Sequence, residues 1–156
     1  NITAEGLVMN SPRLSGQLDE DRRYDVTARR AVQSILDPTE LRLEGIRARL
    51  EMGGDDWVDI TGARAFYDVD TEILELSGGV LIASSDGTEA RLGTASVFLK
   101  EGRVESPEAI AIDSRHGAIR AGSIDVVGSG DVVRMSGGVS IRIDPAARDR
   151  DTGAAD

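Results

Sequence analysis

Apolar and polar side chains alternate along most of this chain with a period of two. Val139, Ile141 and Ile143 are apolar, while Ser140 and Arg142 between them are polar. Leu41 and Leu43 alternate with Arg42 and Glu44. Ile46, Ala48 and Leu50 alternate with Arg47 and Arg49. This period puts one face of a β-strand in a core and the other in water, whereas an amphipathic helix repeats every 3.6 residues. Gly53-Gly54, Asp86-Gly87 and Glu101-Gly102 fall between such runs as turn signals. Residues 26–36 have helix-compatible propensities, but residues 24–32 match the repeat described next and read as strand.

The strands recur as a unit. Val26-Thr27-Ala28-Arg29-Arg30-Ala31 aligns with Ile60-Thr61-Gly62-Ala63-Arg64-Ala65 and with Leu92-Gly93-Thr94-Ala95-Ser96-Val97. It aligns more weakly with Arg120-Ala121-Gly122-Ser123-Ile124-Asp125. The starts lie 34, 32 and 28 residues apart. A second apolar element follows each one, around Leu41, Leu74, Val104 and Val133, and two of these run on into Ser-Gly-Gly-Val at 77–80 and 136–139. Within the first element, Val26 and Ala31, Ile60 and Ala65, and Leu92 and Val97 are each five residues apart. An odd interval cannot keep both residues on one face of a regular strand. A bulge or bend between them restores both to the interior, and Gly62 and Gly93 are placed to permit it. The pattern therefore predicts an all-β fold whose strands turn a corner in each unit, as in a curved sheet or an antiparallel jelly roll built of repeated strand pairs. One unit is too small to bury its own apolar face, so the units stack.

The chain has 156 residues, which suits one domain over 1–144, and 40% of them are hydrophobic, as in folded rather than disordered chains. Residues 145–156 are small, charged and non-periodic, and are expected to be a disordered tail. Only five residues are aromatic, so the core is built from Val, Ile, Leu and Ala. The net charge of −10 argues against nucleic acid, whose phosphates are met by clustered Lys and Arg, and against a general attraction to anionic membranes. There is no cysteine, which excludes disulfides, thiol catalysis and thiolate metal sites. No window approaches the ~20 apolar residues of a membrane helix.

Catalytic chemistry has little to stand on. His116 is the single histidine and lies in Ser114-Arg115-His116-Gly117, a turn sequence, with no HExxH or Cys/His set to make a metal site. Asp19-Glu20-Asp21 and Asp55-Asp56 fall between strands, where charge clusters are ordinarily solvated. Gly128-Ser129-Gly130-Asp131 is one copy of a calcium-binding pattern that needs tandem copies, and reads as a hairpin turn. Asn1-Ile2-Thr3 is a glycosylation triplet at the terminus. Arg29, Arg30, Arg47 and Arg49 are the densest basic positions. They either meet ligand phosphates or balance nearby acids, and the second reading is preferred. No cofactor is expected, and the chain does not read as an enzyme.

Met9-Asn10-Ser11-Pro12-Arg13-Leu14-Ser15-Gly16 followed by Tyr24-Asp25-Val26-Thr27-Ala28-Arg29-Arg30-Ala31 resembles the opening of periplasmic LptC domains, with Ser11 inserted between Asn10 and Pro12. Trp57-Val58-Asp59-Ile60-Thr61-Gly62-Ala63, Leu76-Ser77-Gly78-Gly79-Val80 and Val133-Arg134-Met135-Ser136-Gly137-Gly138-Val139 are similar to later parts of that family. The resemblance implies an LptA/LptC-like jelly roll that passes lipopolysaccharide from an inner-membrane ABC transporter to LptA. It also implies a periplasmic location, with an anchoring helix expected upstream of Asn1.

Under that resemblance, inward aliphatic side chains become candidates for a lipid groove: Leu41, Leu43, Ile60, Leu74, Leu76, Leu92, Val97, Val104, Val133, Met135 and Val139. Edge strands become candidates for partners. Val139, Ile141 and Ile143 would meet an LptA-like protein, and Leu14 and Leu18 would face LptF/LptG-like transporter components. A homo-oligomer is a further possibility. The alternatives are a structural β-solenoid that assembles into filaments and a carbohydrate-binding repeat protein.

Overall fold

The computed structural model describes residues 2–3, 6–128 and 132–145. The chain is all-β, and the sixteen strands among the described residues form one antiparallel sheet that is not closed into a barrel. Three long strands run through the middle: β6 (Glu40–Gly53), β7 (Asp56–Asp68) and β8 (Ile73–Ser84). Each belongs to two leaves of the sheet, one at either end of the strand.

In the first leaf the order is β1 (Ile2–Thr3), β2 (Gly6–Asn10), β5 (Arg30–Gln33), β6, β7, β8, β10 (Ala95–Phe98), β11 (Arg103–Ser106), β14 (Ser123–Val127) and β15 (Val132–Ser136). In the second leaf β3 (Arg13–Gln17) and β4 (Arg23–Thr27) lie before the other ends of β6, β7 and β8. They are followed by β9 (Glu89–Leu92), β12 (Ile110–Ser114), β13 (Gly117–Ala121) and β16 (Ser140–Ile143). A single core cluster joins side chains of both leaves, among them Leu74 and Val97 of the first and Ile60 and Ile110 of the second. The sheet is therefore folded over, leaf facing leaf.

The fold line is where the odd interval of the repeat predicts it. In β7 the crease falls between Gly62 and Arg64, where its ladder with β8 takes one extra β8 residue while its ladder with β6 stays in register, and Ile60 and Ala65 both face inward. Between Val26 and Ala31 the chain breaks at residues 28–29, separating β4 from β5. Between Leu92 and Val97 it breaks at 93–94, separating β9 from β10. All six of these apolar residues are buried. Residues 26–36 form strand and loop, as the repeat requires and against their local helix propensity. The two Ser-Gly-Gly-Val segments also lie on the line. Gly78, Gly79, Gly137 and Gly138 all have φ between +76° and +97°, a region closed to most side chains.

Backbone groups released at the corner find partners across it. The Ser11 N–H donates to the Arg29 carbonyl (2.9 Å), Arg29 N–H to Glu44 (2.9 Å), Gly79 N–H to Gly93 (3.2 Å) and Gly122 N–H to Ser136 (2.8 Å). The corner is thus a hydrogen-bonded crease, consistent with the high cost of orphaned backbone groups. The expected turns at Gly53-Gly54, Asp86-Gly87, Glu101-Gly102 and His116 are all present between strands. Ser129, Gly130 and Asp131 of the expected hairpin, Asn1 of the glycosylation triplet, and tail residues 146–156 lie outside the described residues.

Gly122 and Gly137 meet at the last corner with no room for a side chain. A Cβ on Gly122 would lie 2.6 Å from the Gly137 carbonyl oxygen, a backbone atom that cannot swing aside. Gly122→Ala is expected to cost about 1–3 kcal/mol of folding stability, read as a lower urea midpoint with an unchanged slope. An unchanged midpoint would mean the crease is not close-packed there.

Candidate ligand cavity and partner edges

Residues directly opposed in an antiparallel ladder share a face, so the register turns local alternation into rows that cross the whole sheet. In the second leaf one inward row passes through Val26, Ala48, Ile60, Ile82, Ala90, Ile112, Ile119 and Ile141. In the first leaf the facing row passes through Leu41, Tyr67, Leu74, Val97, Val104, Val126 and Val133. Both rows begin closed and end open. Exposure rises from 1% at Ile60 to 64% at Ile141, and from 0% at Leu74 to 47% at Val133. The leaves are sealed near their middle and uncovered toward β15 and β16.

Between the sealed and open ends lies a cavity of about 270 Å³ with almost wholly apolar walls. The second leaf contributes Ile60, Ile82, Leu92, Ile110 and Ile112. The first contributes Val97, Leu99, Val104, Ile124, Val126 and Val133. Ala90, small and directly opposite Ile82 and Ile112, leaves space that a larger side chain would fill. A second cavity of about 160 Å³ lies on the N-terminal side, lined by Met9, Leu14, Val26, Leu41, Leu43 and Tyr67 among others.

The sequence-predicted groove residues divide accordingly. Ile60, Leu92, Val97, Val104 and Val133 line the larger cavity, and Leu41 and Leu43 line the smaller. Leu74 and Leu76 are fully packed in the core and line neither. Met135 packs on the core opposite Ile124, and Val139 sits exposed between β15 and β16. Of the edge residues, Leu14 is on β3, the second leaf's N-terminal edge, and also borders the smaller cavity. Leu18 closes the β3/β4 turn, its N–H donating to the Arg22 carbonyl at 2.8 Å. Ile141 and Ile143 are exposed on β16, the opposite edge. Leu99, Ile110, Ile112 and Val126 line the larger cavity although sequence reasoning did not select them. Leu99 lies in the turn after β10, and the other three are on short strands bracketed by turns, where only alternation within β12 and β14 hinted at them.

Polar groups at the cavity are few and mutually engaged. Arg103 lines the larger cavity with its guanidinium 4.2 Å from the Phe98 ring centroid. It pairs with Glu105, with Glu101 at 3.5 Å and with Asp125 at 3.4 Å. Three carboxylates around one cation leave that rim with no surplus positive charge. Arg30, Arg47 and Arg49 are engaged in the same way on the outer face. Arg47 (2.7 Å) and Arg49 both bind Asp59, Arg30 lies 3.5 Å from Glu44, and Arg49 stacks 4.2 Å over the outward-facing Trp57 ring. Burial acts to raise the Asp59 pKa, but the hydrogen bonds from Arg49 and Arg47 outweigh it and hold the carboxyl below its ordinary value. Phe66 is exposed and its neighbour Tyr67 is buried, so the adjacent aromatic pair does not form a flat platform. Among the described residues no group of three or more His, Asp and Glu is placed to hold a metal ion, and no helix is long and apolar enough to cross a membrane.

Two tyrosines stand in the sealed middle. Tyr24, from β4, donates its hydroxyl hydrogen to Glu72 Oε1 at 2.8 Å, and Tyr67, from β7, is buried nearby. No family model and no curated protein matches this chain.

Burial pushes the Tyr67 phenol up to about 12, aided by the nearby charges of Glu72 and Asp68. Burial first, and then the hydrogen bond to Glu72, raises that of Tyr24 still further. An unfolded tyrosine ionises near 10. As pH rises past 10 the unfolded chain loses these protons first, so their contribution is complete below pH 10; that of Tyr67 is lost on the way through 12 and that of Tyr24 at still higher pH. Ultraviolet titration is expected to show both phenols ionising above pH 10 together with loss of the β-sheet circular dichroism signal. Ionisation at 10 with the sheet intact would mean that the rings are solvated.

Proposed function

We infer that this chain is an LptC-like periplasmic domain of lipopolysaccharide export, a non-catalytic β-jelly roll that shelters acyl chains between its two leaves. The observation that carries the reading is the pair of facing aliphatic rows that part from each other toward β15 and β16, with an apolar cavity between them. The motifs of the N-terminal strands and the Ser-Gly-Gly-Val corners support it from the sequence side. At about 270 Å³ the cavity is near the lower end for ligand pockets, with room for one acyl chain rather than several. Each methylene taken up contributes about 0.8 kcal/mol. The net charge of −10 and the neutralised Arg103 keep a phosphorylated headgroup outside, so the tails lead the binding.

The two ends of the sheet give this carrier its partners. At the C-terminal end, β16 presents Ile141 and Ile143 on an unpaired edge, where an LptA-like protein adds a strand and continues the trough. At the N-terminal end, β3 offers its edge to LptF/LptG-like components of the inner-membrane transporter. The domain works in the periplasm, tethered to the inner membrane by a helix upstream of Asn1. A structural β-solenoid would use the same edges but has no need of an apolar cavity.

Photo-crosslinking residues at Ile112 and Val126, on opposite walls of the cavity, are expected to trap lipopolysaccharide, whereas one at the outward-facing Phe66 is not. Absence of adducts at both wall positions would overturn the transport reading. The Asp144 N–H donates inward to His116, so by ladder alternation Ser140 and Arg142 also donate to β13, while Ile141 and Ile143 donate outward. Ile141→Pro is therefore expected to abolish association with an LptA-like partner at little cost to folding. Undiminished association would mean that this edge is not the docking strand.

A further inference from the structure

The interior is open at one end, and near its middle it is held shut by a specific contact. We propose that the hydrogen bond from Tyr24 to Glu72 is a clasp between the leaves, and that an apolar chain passes from the smaller cavity to the larger one only when it opens. The clasp stands on its own geometry, while its place on a transit path rests on the lipid-carrier reading above.

Tyr24 lies in the second leaf, on β4, and Glu72 lies in the β7/β8 turn at the tip of the first. The bond of 2.8 Å between them therefore crosses from leaf to leaf, whereas the other side-chain hydrogen bonds described above stay within one leaf. The tyrosines also sit between the cavities. Tyr67 lines the smaller one, and Leu50, the cross-strand neighbour of Tyr24, lines the larger.

Both halves of the clasp are held in place before they meet. Glu72 has φ +54°, a left-handed conformation unusual for glutamate. It is fixed there by its N–H donating to the Asp68 carbonyl (2.8 Å) and by its own carbonyl accepting from Leu99 (3.1 Å). Lys100 braces the same turn, 3.7 Å from Glu72 Oε2 and donating to the Asp70 carbonyl at 3.2 Å. On the other side the Tyr24 ring packs against Gly16 of β3, and a Cβ there would fall 2.4 Å from the ring and its hydroxyl. Glycine at 16 is thus the seat of the ring. Strain held by surrounding contacts is a recurrent mark of elements that move in function.

The absence of cysteine lets two labels be placed without background. Asp55→Cys and Glu101→Cys put nitroxides on exposed turns at the tips of the second and first leaves. Pulsed dipolar spectroscopy is expected to give one narrow distance in the parent, and a broadened distribution with a longer population in Tyr24→Phe. Gly16→Ala, which displaces the ring without altering either partner, is expected to match Tyr24→Phe. Glu72→Gln keeps an acceptor oxygen and is expected to stay close to the parent, with Glu72→Ala open. Equal distributions in parent, Tyr24→Phe and Glu72→Ala would overturn the clasp.

Uptake of a fluorescent fatty acid separates the two readings. Entry is expected to quicken about tenfold in Tyr24→Phe, the factor set by loss of one hydrogen bond to a charged group, with equilibrium occupancy unchanged. Occupancy with equal entry rates would refute gating and leave the carrier intact. No occupancy in either protein would refute the carrier, and the label distances would still decide the clasp.

Discussion

Each chain pass in this sheet must change leaf without turning its apolar side chains outward, and that constraint organises everything else. A regular strand cannot satisfy it, because one residue too many flips every later side chain. The chain meets it with a crease of glycines, short breaks and a register shift, stitched by hydrogen bonds from Ser11, Arg29, Gly79 and Gly122. With the crease in place, rows of Leu, Ile, Val and Ala face each other across the fold. The interior then depends on how far the leaves diverge.

That divergence separates core from cavity. Leu74 and Val104 belong to the same inward row, yet Leu74 is fully packed and Val104 lines open space. Near Leu74 the leaves are drawn together by Tyr24 and Glu72. Toward Val133 and Ile141 the rows end uncovered. A closed middle, an apolar cavity and an unpaired edge thus follow one another along the sheet.

Much of this was legible in the chain itself. Strict alternation around Leu43 and Ala48 marks the strands, and the five-residue interval from Ile60 to Ala65 marks the crease. The arginines at 47 and 49 were correctly read as balanced by acid. Alternation tells only which face a residue takes, and says nothing of the distance to the opposing leaf. It could not separate Leu74 and Leu76 from Ile60 and Val97, and it left Ile110 and Ile112 unselected. Nor does periodicity disclose that Tyr24 reaches a turn 48 residues away, since that contact joins two leaves.

The sheet also sorts the chromophores of the molecule by side. Trp57, the single tryptophan, lies on the outer surface under the Arg49 guanidinium, while both tyrosines are enclosed in the interior toward the tips of the leaves. Indole emission therefore monitors the solvent-facing surface and is blind to a guest between the leaves. Phenol absorbance is the intrinsic signal that senses the inside.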